Sequence, residues 1–223
     1  ISLYERVGDS RAYAVVQEHF RVMEQAIADH EGAVIKTMGD AVMASFSSLS
    51  RAVAAAIQAV RETEARHGEL GIGVKLGVHE GPCLAVRAND RLDFFGTTVN
   101  LTARLQGQAK AGELVMMKEM AEIPGVAELL EGAPRRVVMA KLKGIAEERE
   151  LVGVDLRPGG GEGGDLLGRG LRLRPVAREA RSDREIPFEH RRRIAGRSMR
   201  QFGTTGLVLG GKLLLTCTPR SRS

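Results

Sequence analysis

The sequence has few aromatic residues, few cysteines and no long apolar run. Phe, Tyr and Trp make up 4% of the chain, and Trp is absent, so stacking surfaces for single-stranded nucleic acid are scarce. Two cysteines, Cys83 and Cys217, are too few for a disulfide framework or a zinc cluster. No run approaches the ~18 apolar residues of a membrane span. A reducing, cytoplasmic location fits these absences best.

Several common catalytic signatures are also missing. The sequence has no G-x-x-x-x-G-K-[ST] loop, so a P-loop NTPase is not expected. The 5 histidines are scattered without HExxH or similar spacing, and there is no nucleophile elbow. The chemistry of the chain must therefore rest on its carboxylate, amide and basic side chains.

Charge is distributed unevenly along the chain. The net charge is +5, but the excess of arginine lies in residues 158–223, and residues 1–157 are slightly acidic. Residues 158–164 are Gly-rich, which is typical of a flexible linker. We therefore predict a folded domain over residues 1–156 and a mostly disordered Gly/Arg-rich tail over residues 157–223. The tail leaves open a basic arm that binds nucleic acid, but no specific nucleic acid is expected as a partner.

The hydrophobic pattern predicts helices mixed with hairpins. Apolar residues recur at helical spacing in three segments, residues 10–30, 48–67 and 96–108. Runs of β-favouring residues predict two hairpins and four further strands, at residues 33–46, 83–95, 72–79, 113–117, 135–139 and 150–154. Helices and hairpins in this order indicate an α+β sandwich with an antiparallel or mixed sheet.

Asp40 lies at the predicted tip of the first hairpin. An aspartate there is most simply a turn residue, because Asp and Gly are ordinary turn formers. The alternative is a carboxylate held on a rigid hairpin to bind Mg²⁺ beside a phosphate. A single carboxylate cannot organise a two-metal site, so a second would have to come from elsewhere.

Asn100 and Arg104 are four residues apart on the third predicted helix and therefore share a face. In the simpler interpretation Asn100 hydrates the helix and Arg104 is solvated. In the functional interpretation an amide and a guanidinium together face a phosphoryl group. Arginine suits that task because its planar donors match dispersed phosphoryl charge.

Lys36 interrupts an apolar strand, and Asp93 precedes a Phe-Phe-Gly segment. Either side chain could simply be a charge on the solvent face of its strand. The alternative is that the two read a base, because lysine only donates hydrogen bonds and a carboxylate only accepts them. Adenine offers an acceptor at N1 and a donor at N6, whereas guanine offers the reverse. The pair would therefore fit adenine and leave buried guanine atoms unpaired.

Together, in order and spacing, these segments resemble the class III adenylate/guanylate cyclase catalytic domain. The resemblance spans about residues 2–155. It is carried by EGAVIKTMGDAVMASF, GVKLGVHEGP, RLDFFGTTVNLTARL and the late LKG, which are residues 31–46, 73–82, 91–105 and 142–144. The third of these segments is the most specific.

The resemblance implies a ferredoxin-like α+β sandwich that works as a head-to-tail homodimer with two sites at the interface. The implied reaction converts ATP to 3′,5′-cyclic AMP and pyrophosphate: the ribose 3′-hydroxyl attacks the α-phosphorus in line. Two divalent metal ions, Mg²⁺ or Mn²⁺, would assist as cofactors.

The resemblance also implies roles for individual residues. Asp40 matches a metal-binding aspartate, and Lys36 and Asp93 match the pair that selects adenine. Asn100 matches the residue that orients the ribose, and Arg104 the one that stabilises the phosphoryl transition state. The more weakly matched Lys143 would contact phosphate.

The chain departs from the family at its start. The family's other metal-binding aspartate lies on a central strand that would precede Ile1, and the first residue is not Met. We therefore expect a piece of a longer protein, in which an upstream sensor domain or membrane attachment has its place and the missing aspartate is supplied.

Three functions are compatible with the sequence. The first is an adenylate cyclase. The second is a catalytically inactive pseudo-cyclase that serves as a nucleotide-binding or dimerisation module. The third is nucleic-acid binding through the Arg-rich tail. The presence of Lys36, Asp93, Asn100 and Arg104 together favours the first.

Overall fold

The computed structural model describes residues 8–88, 91–142, 147–159 and 208–219. The helices in these ranges are α1 (Asp9–Asp29), α2 (Leu49–His67), α3 (Thr97–Gln108), α4 (Lys118–Ala121) and α5 (Pro124–Leu129), with a 3₁₀ turn at Gly68–Leu70. The strands are β1 (Ala33–Met38), β2 (Ala41–Ser45), β3 (Ile72–Pro82), β4 (Leu84–Ala88), β5 (Arg91–Phe95), β6 (Glu113–Met117), β7 (Arg135–Ala140), β8 (Arg149–Asp155) and β9 (Val208–Pro219).

The main sheet is mixed and has seven strands in the order β1-β2-β9-β3-β6-β8-β7. The pair β3–β6 is parallel, and the other neighbouring strands are antiparallel. Strands β4 and β5 form a separate antiparallel hairpin. The predicted α+β class with a mixed sheet is therefore confirmed, and all predicted helices and strands are present.

Helices cover both faces of the sheet, and the alternation of β6 shows why. Leu114 and Met116 pack into the larger core, which α1 and α2 share with β2, β3 and β8. Val115 and Met117 point the other way and pack with Leu101, Leu105 and their neighbours under α3. All five strand residues are buried, as expected for a central strand with apolar layers on both sides.

Helix α2 is rich in alanine on the side that faces the sheet. Ala52, Ala55 and Ala56 are fully buried, and such short side chains let the helix axis approach the strands closely. The helix begins at a polar cap, because the Ser48 hydroxyl accepts a hydrogen bond from the Arg51 amide at 3.4 Å. No helix within the described ranges is long and apolar enough to cross a membrane.

Strand β9 lies inside the segment that the sequence analysis assigned to a mostly disordered tail. It runs antiparallel to both β2 and β3 and separates them, so that β2 and β3 do not pair directly. A strand of this kind is defined by its partners rather than by a local pattern, which is why the sequence did not reveal it. The rest of the tail, residues 160–207 and 220–223, lies outside the described residues.

A buried polar cluster lies between α1 and α2. His19, Thr63 and His67 are 1%, 1% and 4% exposed. Within the described part of the chain, neither ring nitrogen of His19 nor the Thr63 hydroxyl has a hydrogen-bond partner. Burial, followed by the charge of nearby His67, lowers the pKa of His19 from 6.5 to about 4. His19 is therefore neutral in the folded protein at neutral pH.

This pKa predicts acid sensitivity. Between pH 6.5 and about 4 the unfolded chain binds a proton at His19 that the folded chain does not. The free energy of unfolding should therefore fall as the pH drops through this window, by up to about 1.4 kcal/mol per pH unit from this group. His19→Leu removes the proton and should flatten the dependence. Urea unfolding at pH 7, 5.5 and 4.5 measures both proteins, and equal slopes would contradict the assignment.

Candidate functional site

Strands β1 and β5 bring Lys36 and Asp93 together, although they are 57 residues apart in sequence. The Nζ atom of Lys36 lies 2.8 Å from each carboxylate oxygen of Asp93. The Lys36 and Asp93 side chains are 35% and 20% exposed. The Phe94 amide donates to Oδ1 of Asp93 at 2.8 Å, which orients the carboxylate. The pair is thus fixed by its neighbours and still open to a ligand.

A small apolar core holds the β4–β5 hairpin in place. Phe94 is buried and packs with Met43 of β2 and Cys83, while Ile35 and Val99 close the cluster from the side. Because side chains alternate along a strand, burying Phe94 turns both of its neighbours, Asp93 and Phe95, outward. The packing of one phenylalanine therefore decides where the Asp93 carboxylate lies.

Asp40 lies in the turn between β1 and β2, next to Gly39, whose φ is +61°. Its side chain is exposed, as a metal ligand at the edge of a nucleotide site could be. In the described residues no group of three or more His, Cys, Asp or Glu side chains could hold a metal ion. Asp40 is therefore a candidate metal ligand that belongs to no such group among the described residues.

Helix α3 follows β5 directly through Gly96, whose φ of +126° favours glycine. Asn100 lies on the first turn and is exposed, and Arg104 follows one turn later and is half-buried. Among the described residues neither side chain forms a hydrogen bond or an ion pair. Both are therefore available to a ligand on this side of the helix.

Two glycines of β3 allow α3 to approach the sheet closely. A Cβ on Gly77 would lie 2.6 Å from the Thr102 carbonyl oxygen and would also collide with the Gln106 backbone nitrogen. A Cβ on Gly81 would lie 2.9 Å from the Thr98 hydroxyl. That hydroxyl donates to the Pro82 carbonyl. The helix that carries Asn100 and Arg104 thus packs directly against the backbone of β3 at these two glycines.

An ion pair fixes the C-terminal end of α3. Arg136 of β7 donates to both carboxylate oxygens of Glu113, at 2.6 and 2.7 Å, and to the carbonyl of Gln108, the last residue of α3, at 2.8 Å. Burial raises the pKa of Glu113, but the Arg136 and Lys110 hydrogen bonds outweigh it, so the pKa is lowered overall. Glu113 stays ionised and holds the end of the helix.

The structure can be compared with the predicted site residue by residue. It brings Lys36 and Asp93 into contact and places Asn100 and Arg104 on one helix, while Asp40 lies in the neighbouring turn. Lys143 lies outside the described residues. The support of α3 by Glu113 and Arg136 and the exposure of Phe95 were not predicted from the sequence. The alternation of side chains along β5 could have predicted that Phe95 is exposed if Phe94 is buried. No local sequence pattern predicts an ion pair between Glu113 and Arg136, which are 23 residues apart.

The family model for the adenylate and guanylate cyclase catalytic domain matches residues 2–125. An uncharacterized protein of Mycobacterium tuberculosis is 37% identical over 127 residues, which cover 55% of this chain and 32% of that protein. Adenylate cyclase 1 of Rhizobium meliloti is 24% identical over 159 residues, which cover 63% of this chain and 24% of that protein. The chain thus spans a third or less of the length of these relatives.

Solved structures share the fold. An adenylate cyclase structure from Trypanosoma brucei matches with a TM-score of 0.58 at 19% identity, covering 75% of this chain and 88% of that one. The adenylyl cyclase CyaB from P. aeruginosa matches with 0.56 at 20%, covering 68% and 86%. The adenylate/guanylate cyclase/hydrolase from Silicibacter pomeroyi matches with 0.56 at 22%, covering 68% and 89%. At these identities the likeness concerns the fold.

The close approach of α3 to Gly77 predicts how substitutions change the free energy of unfolding. Gly77→Ala should lower the free energy of unfolding by about 1–3 kcal/mol, because the new methyl group meets helix backbone that cannot rotate away. Gly107→Ala is the matched control, since a Cβ there has open space. It should be neutral or slightly stabilising, because alanine favours the helix. Chemical denaturation measures both, and equal effects would contradict the close approach.

Proposed function

Because the chain belongs to the adenylate and guanylate cyclase catalytic domain family, we propose that it is an adenylate cyclase, which converts ATP to 3′,5′-cyclic AMP and pyrophosphate. The observation that carries the choice of adenine is the contact between Lys36 and Asp93. Family membership by itself gives a nucleotide cyclase, a lyase, and leaves the base open.

The donor and acceptor chemistry of the pair favours adenine. Lys36 offers hydrogens to the N1 acceptor of adenine, and the carboxylate of Asp93 accepts from its N6 amino group. Guanine presents a donor at N1 and an acceptor at O6. The Lys36 ammonium would therefore face another donor, and the Asp93 carboxylate would face another acceptor. A buried polar atom left without a partner costs about 1–3 kcal/mol. Two such mismatches are enough to separate ATP from GTP.

Asn100 and Arg104 provide the groups for the reacting end of the nucleotide. In the proposed reaction the ribose 3′-hydroxyl attacks the α-phosphorus and pyrophosphate leaves. Asn100 orients the ribose, and the Arg104 guanidinium meets the charge that develops on the phosphoryl oxygens. Lys143 is proposed to contact phosphate. The free guanidinium in the described part of the chain supports this role, since no internal carboxylate competes for it.

The family uses divalent metal ions, and Asp40 is the candidate for one of their ligands. Two ions would need a further carboxylate, and within the described ranges Asp40 belongs to no group of three or more side chains that could hold a metal ion. The steps proposed for this chain are therefore those of Lys36, Asp93, Asn100 and Arg104.

Proteins of this family work as dimers, and we propose a head-to-tail homodimer for this chain. Val34 and Met38 of β1 are large apolar side chains that are 39% and 42% exposed, and a second copy that covered them would remove their apolar surface from water. A cytoplasmic location and an upstream sensor domain that regulates the enzyme are part of the same proposal.

One observation favours a second function. Among the described residues Asp40 belongs to no group of three or more side chains that could hold a metal ion, and a chain without a complete metal site can bind a nucleotide without turning it over. The alternative is therefore a pseudo-cyclase, a nucleotide-binding or dimerisation module. Binding of ATP without formation of cyclic AMP would identify it.

Arg104 provides the test of the mechanism. Arg104→Ala should lower cyclic AMP formation from ATP by about 100-fold or more, since it removes a donor aimed at transition-state charge. Arg104→Lys keeps the charge without the planar fork and should be intermediate. Arg66→Ala is the matched control, because this exposed arginine lies on α2 and pairs with Glu62. Turnover that is unchanged in Arg104→Ala, with the fold intact by circular dichroism, would refute the assignment.

A further inference from the structure

Phe95 is an exposed aromatic ring beside the Lys36–Asp93 pair. It is 49% exposed, whereas Phe94 next to it is 3% exposed. The chain has only 6 phenylalanines and no Trp, so a half-exposed ring is an uncommon use of an apolar side chain in this protein. Strand alternation places Phe95 and Asp93 on the same face of β5. The ring and the carboxylate therefore border the same space.

The Lys36 ammonium connects the ring to the ion pair. Its Nζ atom lies over the Phe95 ring, 5.6 Å from the centroid, while it contacts Asp93. A planar ligand whose edge reaches both Lys36 and Asp93 would therefore lie beside this ring. The apolar face of a purine has the shape and polarity that such a ring accepts.

We propose that Phe95 is the stacking surface for the purine of the bound nucleotide, while Lys36 and Asp93 contact the edge of the base. The inference rests on the proposed function for the class of ligand and adds a residue to its binding site. Stacking does not depend on donors and acceptors, so Phe95 should strengthen the binding of ATP and GTP alike. Lys36 and Asp93 then provide the selectivity between them.

Leu84 offers a matched comparison. It pairs directly with Phe95 in the β4–β5 register and is more exposed, at 64%. It lies on β4, however, one strand further from Lys36 than Phe95, since β5 is the hairpin strand that carries Asp93. A purine held by the ion pair therefore reaches Phe95 before it reaches Leu84.

The experiment measures the affinity of the full chain for ATP and for GTP by isothermal titration calorimetry. Phe95→Leu keeps an apolar side chain and removes the ring, and it should weaken both nucleotides by about tenfold. Phe95→Tyr keeps the ring and should bind as the wild type does. Leu84→Ala should also bind as the wild type does. Sedimentation velocity on each variant reports whether its oligomeric state has changed.

The outcomes separate the two proposals. Wild-type affinity in Phe95→Leu overturns the stacking role and leaves the proposed function intact. Equal weakening in Phe95→Leu and Leu84→Ala, with loss of the dimer in both, also overturns it and identifies the hairpin face as a contact between subunits. Absence of nucleotide binding in the wild-type chain would overturn the proposed function together with this inference. A loss confined to Phe95→Leu, without a change in oligomeric state, supports it.

Discussion

The close approach of α3 to β3 is the constraint on which the proposed site depends. At Gly77 the helix backbone occupies the space that a side chain would fill, and Thr98 fixes the first turn to Pro82. At the other end, Arg136 holds the Gln108 carbonyl while it pairs with buried Glu113. Because a protein interior is close-packed, these contacts fix the distance of α3 from the sheet and its rotation about its own axis. The backbone positions of Asn100 and Arg104 are thus fixed by the helix, although neither side chain forms a hydrogen bond or an ion pair among the described residues.

The Lys36–Asp93 pair is positioned in a different way. Its members come from two separate sheets, and the Phe94 core beneath the hairpin brings them into register. An ion pair that is this exposed contributes little to folding, typically 0–1 kcal/mol. The packing around it therefore explains its geometry, and its openness to solvent is what makes it useful for binding. A ligand can replace the internal contact by contacts of its own at little cost to the fold.

The sequence predicted local elements better than it predicted long-range ones. The period of the apolar residues revealed the three longer helices and the two hairpins, because each buries one face. The pair Lys36 and Asp93 could be named because Lys36 interrupts an apolar strand and Asp93 precedes a Phe-Phe-Gly segment, and the family resemblance joined them. Strand β9 was not predicted because its place between β2 and β3 is set by partners about 125 to 175 residues away in sequence. The Glu113–Arg136 ion pair was not predicted for the same reason, because ion pairs between distant residues have no local sequence pattern.

Selection of adenine by Lys36 and Asp93 is the property that decides the proposed product. Its most direct test gives the protein an equimolar mixture of ATP and GTP and quantifies cyclic AMP and cyclic GMP. The wild type should form cyclic AMP in excess. Exchanging the donor and the acceptor, in Lys36→Glu combined with Asp93→Lys, should shift the ratio of products towards cyclic GMP by at least about tenfold. A wild type that prefers GTP, or a ratio that the exchange leaves unchanged, would contradict the account.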